Sequence, residues 1–260
     1  MTMTHDDVGS DAARVSDAVR SFFGAHAEDY RNSPRHRAGA DLSLLVNGLH
    51  PVAGEAALDL ATGPGHVALA LARDGLDVTG LDLTAEMLTV ATASANEAGL
   101  GVAWVSGDAA ALPFGDASFD IVTCRRAAHH FPSPAKAVRE AWRVLRPGGR
   151  FGLSDLTAPA SAIDALNHVE RVRDRSHQRA LAPDEWVDTV LAAGFDLTAS
   201  TLYVEVLTKK EWLSPVAWES PQGVLARNAM DAWGDDLAAA LGRGDAFRKY
   251  RLVLWAEKAR

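Results

Sequence analysis

Three acidic turns define the chemistry that this sequence could carry out. Ala57-Leu58-Asp59-Leu60 is an apolar run that enters the turn Ala61-Thr62-Gly63-Pro64-Gly65-His66. Val78-Thr79-Gly80-Leu81 ends on Asp82, and Val102 to Val105 leads into Ser106-Gly107-Asp108-Ala109. A strand feeding a glycine-rich turn and a helix, followed by a second strand that closes on a carboxylate, lays a nucleoside across the strand ends. Asp82 follows Asp59 by 23 residues, where it accepts hydrogen bonds from two vicinal ribose hydroxyls. Asp59 lies inside its strand, and a buried carboxylate needs a specific partner, which a cationic amino-acid head group would supply. Asp108 accepts from an exocyclic adenine amine while the next backbone N–H donates to a ring nitrogen. The stretch Gly63-Pro64-Gly65-His66-Val67-Ala68 also fits the G-x-G-x-x-G/A turn of a dinucleotide site. The position of Asp59, the third acidic turn and the lack of a second phosphate cradle favour the other nucleosides.

A second set of residues offers proton transfer and substrate binding. His129 and His130 directly follow the fourth strand, at its carboxyl edge, where a neutral imidazole orients or deprotonates a hydroxyl. The alternative is that one of the pair packs inward. Between residues 161 and 180, Asn167, Glu170, Arg171, Asp174, His177 and Gln178 recur at three- and four-residue spacings, opposite Ile163, Leu166, Val169 and Val172. That face is either solvated, with local ion pairs, or turned to a substrate, in which case Arg171 would clamp a carboxylate and His177 would stand beside it. Trp212, Trp218 and Trp233 are core residues or, if they line a lid, favour an aromatic or cationic acceptor; Trp212 is assigned to the acceptor site. His36 and Tyr30 either close over the site or pack between helices. No i, i+4 histidine pair and no carboxylate-rich spacing marks a metal site.

These residues need a scaffold that brings strand ends together. Short strands are expected at Ala56–Leu60, Val78–Leu81, Val102–Val105, Phe119–Cys124, Phe151–Leu153, Leu197–Leu207 and Tyr250–Ala256, with helices between them. Thr84 is expected to cap a helix ended by Gly99, and Ser133-Pro134 to open one closed by Arg146-Pro147-Gly148-Gly149. The alternation argues for an α/β fold with a doubly wound, seven-stranded, mostly parallel sheet. Residues 11–260 are expected to form one domain after a disordered tail at 1–10, with helices in 11–49 and an insertion at 209–245 forming a helical cap over the sheet's carboxyl edge. The net charge of −8 argues against nucleic acid as a partner. The lone cysteine, Cys124, excludes an intrachain disulfide and fits a reducing compartment. No apolar run approaches the ~20 residues of a membrane span, and the polar N-terminus is no secretory signal. A cytoplasmic protein, monomer or homodimer, acting on a small molecule is expected.

The turns resemble, in order and spacing, the class I S-adenosylmethionine-dependent methyltransferases, close to the ubiquinone/menaquinone-biosynthesis C-methyltransferase type. The resemblance runs from about residue 20 to 160. It is carried by Leu58 to Gly65, Gly80 to Leu88, Gly107-Asp108-Ala109 with Leu112-Pro113-Phe114, Ser118-Phe119-Asp120, Arg125 to Phe131, and Arg146 to Gly149. It implies a Rossmann-like methyltransferase fold whose last hairpin is reversed. It also implies S-adenosyl-L-methionine as cofactor, with contacts from Tyr30, Asp59, Ala61, Gly63, Gly65, Asp82, Leu83, Met87, Asp108, Ala109 and Arg125. Ala61 stands where the family has its first glycine and adds a methyl near the methionine end of the cofactor. The expected reaction is methyl transfer to carbon, oxygen or nitrogen of a small organic acceptor. The alternatives are an NAD(P)-dependent oxidoreductase and a non-methylating S-adenosylmethionine-binding protein.

Overall fold

The computed structural model describes the backbone of residues 5–260 and the side chains from Arg14 onward. Four helices come first: α1 (His5–Ala25), α2 (Ala27–Asn32), α3 (Pro34–Ala38) and α4 (Ala40–Gly48). The alternating part comes next as β1 (Ala56–Leu60), α5 (His66–Arg73), β2 (Asp77–Asp82), α6 (Ala85–Ala98), β3 (Ala103–Ser106), β4 (Phe119–Arg125), α7 (Pro134–Val144) and β5 (Leu145–Thr157). The chain then runs through α8 (Ile163–Arg173), α9 (Pro183–Ala192), β6 (Phe195–Thr208), α10 (Lys209–Leu213), α11 (Pro221–Asp231), α12 (Asp235–Leu241) and β7 (Ala246–Lys258).

The seven strands form one sheet in the order β3-β2-β1-β4-β5-β7-β6. Only β7 runs antiparallel to its neighbours. Strand order reverses between β1 and β4, which pair in parallel, and this is the point where an open α/β sheet leaves a crevice at its carboxyl edge. The sheet is buried on both faces, so its central strands are continuously apolar rather than alternating. Leu58, Val122 and Phe151 pack on one face against Val138 of α7 and Trp186 of α9. Ala57, Ile121 and Val253 pack on the other against Leu45 and Leu49 of α4 and Val67 and Leu71 of α5. A separate cluster joins Leu166 and Val169 of α8 to Trp212, Ala226, Leu241 and Phe247.

Several elements differ from the sequence expectation. Residues 1–4 of the expected tail lie outside the described residues, whereas His5–Ser10 form the start of α1, with no proline to separate them from the rest of that helix. Helix α7 stops at Val144, and Arg146 to Gly149 already belong to β5. The hydroxyl of Thr84 makes no cap bond; it is buried without a partner, and the Asp82 carboxylate accepts the Thr84 N–H instead. None of the described helices is long and apolar enough to cross a membrane.

Candidate active site

A cavity of about 130 Å³ opens at the carboxyl ends of β1, β2, β3 and β4. Tyr30, Asp59, Ala61 and Gly63 line it on one side, Asp82, Leu83 and Met87 on the next rim, and Asp108, Ala109 and Arg125 on the third. The three acidic turns thus converge. Ala61, Gly63 and Gly65 all take left-handed φ values, +48°, +53° and +85°. For Ala61 that conformation is strained, and strain of this kind persists where surrounding structure enforces it. Gly65 is the exception among the expected cofactor residues, because it does not reach the cavity. A Cβ on it would stand 2.9 Å from the Trp104 ring, so its lack of a side chain serves packing between the turn and β3.

Asp59 and Asp82 are held differently from what their sequence positions implied. Asp59 is 1% exposed and accepts hydrogen bonds from the hydroxyls of Thr62, at 2.6 Å, and Thr123, at 2.7 Å. Neutral protein hydroxyls therefore partner this carboxylate, and burial outweighs them to push its pKa up to about 6. Asp82 accepts the N–H of Gly63 at 2.8 Å and that of Thr84 at 2.9 Å, which fixes its carboxylate across the turn, and burial raises its pKa as well. Asp108 is exposed and accepts the Ala110 N–H.

The helices before the sheet roof the cavity with Val15, Val19, Phe23, Tyr30 and His36. They are pinned by Asp41 of α4, which is fully buried. Its Oδ2 and Oδ1 accept from Nε and Nη2 of Arg125 at 2.8 and 2.9 Å, and from Nε and Nη2 of Arg126 at 2.9 and 2.5 Å. Burial alone would raise the Asp41 pKa, but the two guanidiniums hold it far below the usual carboxylate range. Arg125 also donates to the His36 carbonyl at 2.9 Å. Arg126 adopts a left-handed φ of +56°, which turns its side chain back to the same acid.

A second cavity of about 120 Å³ adjoins the first, and Phe23, Tyr30, His36, Arg126 and His130 line both. His129 and Trp212 line the second only, so both expected histidines and two of the four expected substrate residues, His36 and Trp212, come together here. Hydrogen bonding fixes the histidine tautomers. Asp155 Oδ1 lies 2.6 Å from His129 Nδ1, so Nδ1 carries the proton. Ser176 Oγ donates to Asp174 at 2.6 Å and lies 3.1 Å from His130 Nδ1, so it accepts from that nitrogen. The His130 imidazole thereby directs its Nε2 lone pair away from Ser176. Burial and the neighbouring His129 bring the His130 pKa down to about 4, so the ring is neutral at physiological pH.

The remaining two expected substrate residues are elsewhere. Arg171 is exposed and donates to the Gln178 carbonyl at 3.3 Å, because it lies on the outer side of α8. His177 is buried behind the cavities, where its Nε2 lies 2.7 Å from Asn167 Oδ1 and its ring is 5.5 Å from that of His129. Apart from Arg171, most of the polar set on and just after α8 is not solvated: Asn167, Glu170, Asp174 and His177 are all buried. Glu170 accepts from Arg173 Nε at 2.9 Å and from Trp212 Nε1 at 3.0 Å, tying α8 to α10. The cation over Trp212 is the protein's own Arg173, 5.4 Å from the ring centroid. Sequence reasoning missed Lys249 and Arg251 of β7, which line the second cavity with Arg173. Their signal was there: two cations at alternate positions of a strand whose next residues, Leu252 to Leu254, are apolar.

The Methyltransferase domain family matches residues 58–153. The chain is 43% identical over 167 residues to the uncharacterized methyltransferase YcgJ of Bacillus subtilis, a match covering 63% of this chain and 66% of that one. It is 31% identical over 225 residues to the ubiquinone biosynthesis O-methyltransferase of Albidiferax ferrireducens, covering 82% of this chain and 88% of the relative. The crystal structure of the YcgJ protein superimposes with a TM-score of 0.79 at 31% identity, over 85% of this chain and 98% of that one. These findings set aside the nicotinamide alternative, and the chain belongs to the S-adenosylmethionine-dependent methyltransferases of class I.

Proposed function

We propose that the first cavity holds S-adenosyl-L-methionine and that a small organic acceptor, entering the second, is methylated on oxygen at the wall between them. The residues fit that cofactor: Asp82 and Asp108 offer acceptors to a ribose and an adenine, and Met87, Val19 and Phe23 offer apolar surface. When bound, the cofactor supplies an electrophilic methyl group on a sulfonium that leaves as a neutral thioether. The protein's task is then positioning and desolvation. Phe23, whose ring centroid lies 4.9 Å from that of His130, and Tyr30 exclude water at the shared wall. His130 Nε2 takes the proton from the acceptor hydroxyl as the oxygen–carbon bond forms. Ser176 and Asp174 hold the imidazole in the tautomer that leaves Nε2 free. The N-terminal helices and the 209–245 segment act as the cap, α1 over the first cavity and α10 over the second.

One observation carries this reading: two adjoining cavities share a wall that bears a neutral histidine with an oriented lone pair. The name of the Albidiferax relative, an O-methyltransferase, supports oxygen as the atom methylated. The test is thermal denaturation with S-adenosylhomocysteine and, separately, with NAD. Stabilisation by the first alone is expected by linkage; stabilisation by NAD alone would overturn the reading.

A further inference from the structure

The second cavity contains charge that the transfer as described leaves unused. Arg251 is 4% exposed, its guanidinium makes no hydrogen bond or ion pair with any described residue, and its Nε is buried without a partner. Lys249, two residues earlier on the same face of β7, has a single ion pair, to Glu170 at 3.9 Å. The other cations are committed: Arg126 to Asp41, Arg173 to Glu170 and Arg35 to Glu211. Glu205 faces Lys249 in register from β6 and lines the same cavity; it pairs with Arg35 at 3.7 Å, and its Oε2 is buried without a partner, near enough to favour the charged form of Arg251 without bonding it.

A buried guanidinium without an acceptor is costly, and a planar fork with free N–H groups matches a carboxylate in a bidentate pair. Phe23, Leu207, Trp212 and Pro215 supply apolar walls around it. Phe23, Tyr30 and Trp212 offer ring surface to a flat acceptor in this cavity. Burial draws the Lys249 pKa down to about 7 and that of Arg251 to about 9, so an anion between them would favour their charged forms.

We propose that the acceptor is a small aromatic hydroxy acid whose carboxylate is held by Arg251 and Lys249, with its hydroxyl at the His130 wall. This rests on the methyl-transfer reading above.

The test is calorimetric titration of the full chain, saturated with S-adenosylhomocysteine, with the three hydroxybenzoates and with their methyl esters. At least one acid is expected to bind about tenfold or more tightly than its ester, and Arg251→Met and Lys249→Met are each expected to weaken that acid about tenfold or more. Affinity for S-adenosylhomocysteine, unchanged in both variants, reports that they fold. Arg251→Lys, which keeps the charge and loses the fork, is expected to fall between wild type and Arg251→Met. Esters that match the acids, no binding by any of the six, or full acid affinity in both methionine variants would overturn the proposal while leaving the cofactor site standing. Failure of S-adenosylhomocysteine itself to bind would overturn the underlying reading and this proposal with it.

Discussion

The two cavities share a wall yet are built in opposite ways. The first is edged by carboxylates, Asp59, Asp82 and Asp108, at or near the ends of three different parallel strands, each with one hydrogen bond from a residue two or three positions on, Asp59 and Asp82 also being held from a neighbouring strand or its turn. The second holds five cations, among them Arg173 of α8 and Lys249 and Arg251 of β7, beside the carboxylates of Asp29, Glu205 and Glu211, and the antiparallel return of the last strand brings Lys249 and Arg251 to it. Backbone N–H groups and short hydroxyls satisfy the acids of the first. In the second, long side chains reach across elements, and two of them stay poorly partnered. A site assembled locally keeps one ligand; a site assembled from distant elements is free to change its specificity while the first stays fixed.

The largest expected effect separates the cavities by affinity. Asp82→Ala should weaken S-adenosylhomocysteine by about 100-fold or more, since two hydrogen bonds to a charged group are lost at about 1.5–3 kcal/mol each; calorimetry checks it. His130→Ala should lower kcat by about 10²-fold or more while that affinity is retained. Equal losses of both in either variant would erase the division of labour.

The next effect is in pH, where the buried histidines and the buried Asp59 act with opposite sign. His130 and His177 are neutral in the fold, held at about 4 and about 2 chiefly by burial and next by neighbouring charge. His36 and His66 are lowered as well, again mainly by burial. The unfolded chain therefore binds more protons below pH 6.5, and stability is lost as pH falls through that value. Asp59, raised to about 6 by burial, acts the other way, binding its proton earlier in the fold and adding stability as pH falls below 6. Four histidines outweigh it, so Tm should drop between pH 7.5 and 5, each kcal/mol appearing as about 2–4 °C. His130→Asn should flatten that drop, and Asp59→Asn should steepen it.

The smallest effect concerns Ala61. Glycine there would remove left-handed strain of about 1–2 kcal/mol but would lose about 0.4–1 kcal/mol to the freer unfolded chain. Ala61→Gly should leave Tm and S-adenosylhomocysteine affinity close to wild type; a large loss of either would mean that the methyl group itself contacts the cofactor.

Legibility in the sequence divides along the same line. The seven strands were legible because each strand–turn–helix unit carries its own punctuation within a short span, and the reversed last hairpin followed from the family resemblance; ten of the eleven residues that the resemblance implied for the cofactor line the first cavity. Gly65 stands apart from these ten, since a glycine packed against Trp104 reads the same in the sequence as one needed by a ligand. The α8 face was ambiguous because charged residues at helical spacing look solvated until α10 and β7 close over them, as they do over Glu170. Arg251 and Lys249 went unread because their meaning depends on β7 lying between β5 and β6, a tertiary fact that no local pattern states.

Titration of S-adenosylhomocysteine into Asp82→Ala and Arg251→Met, side by side with wild type, tests the central claim most directly. The account predicts binding weaker by about 100-fold or more in the first and wild-type binding in the second. Wild-type affinity in Asp82→Ala, or an equal loss in Arg251→Met, would contradict the separation of a carboxylate-edged cofactor cavity from a cationic acceptor cavity.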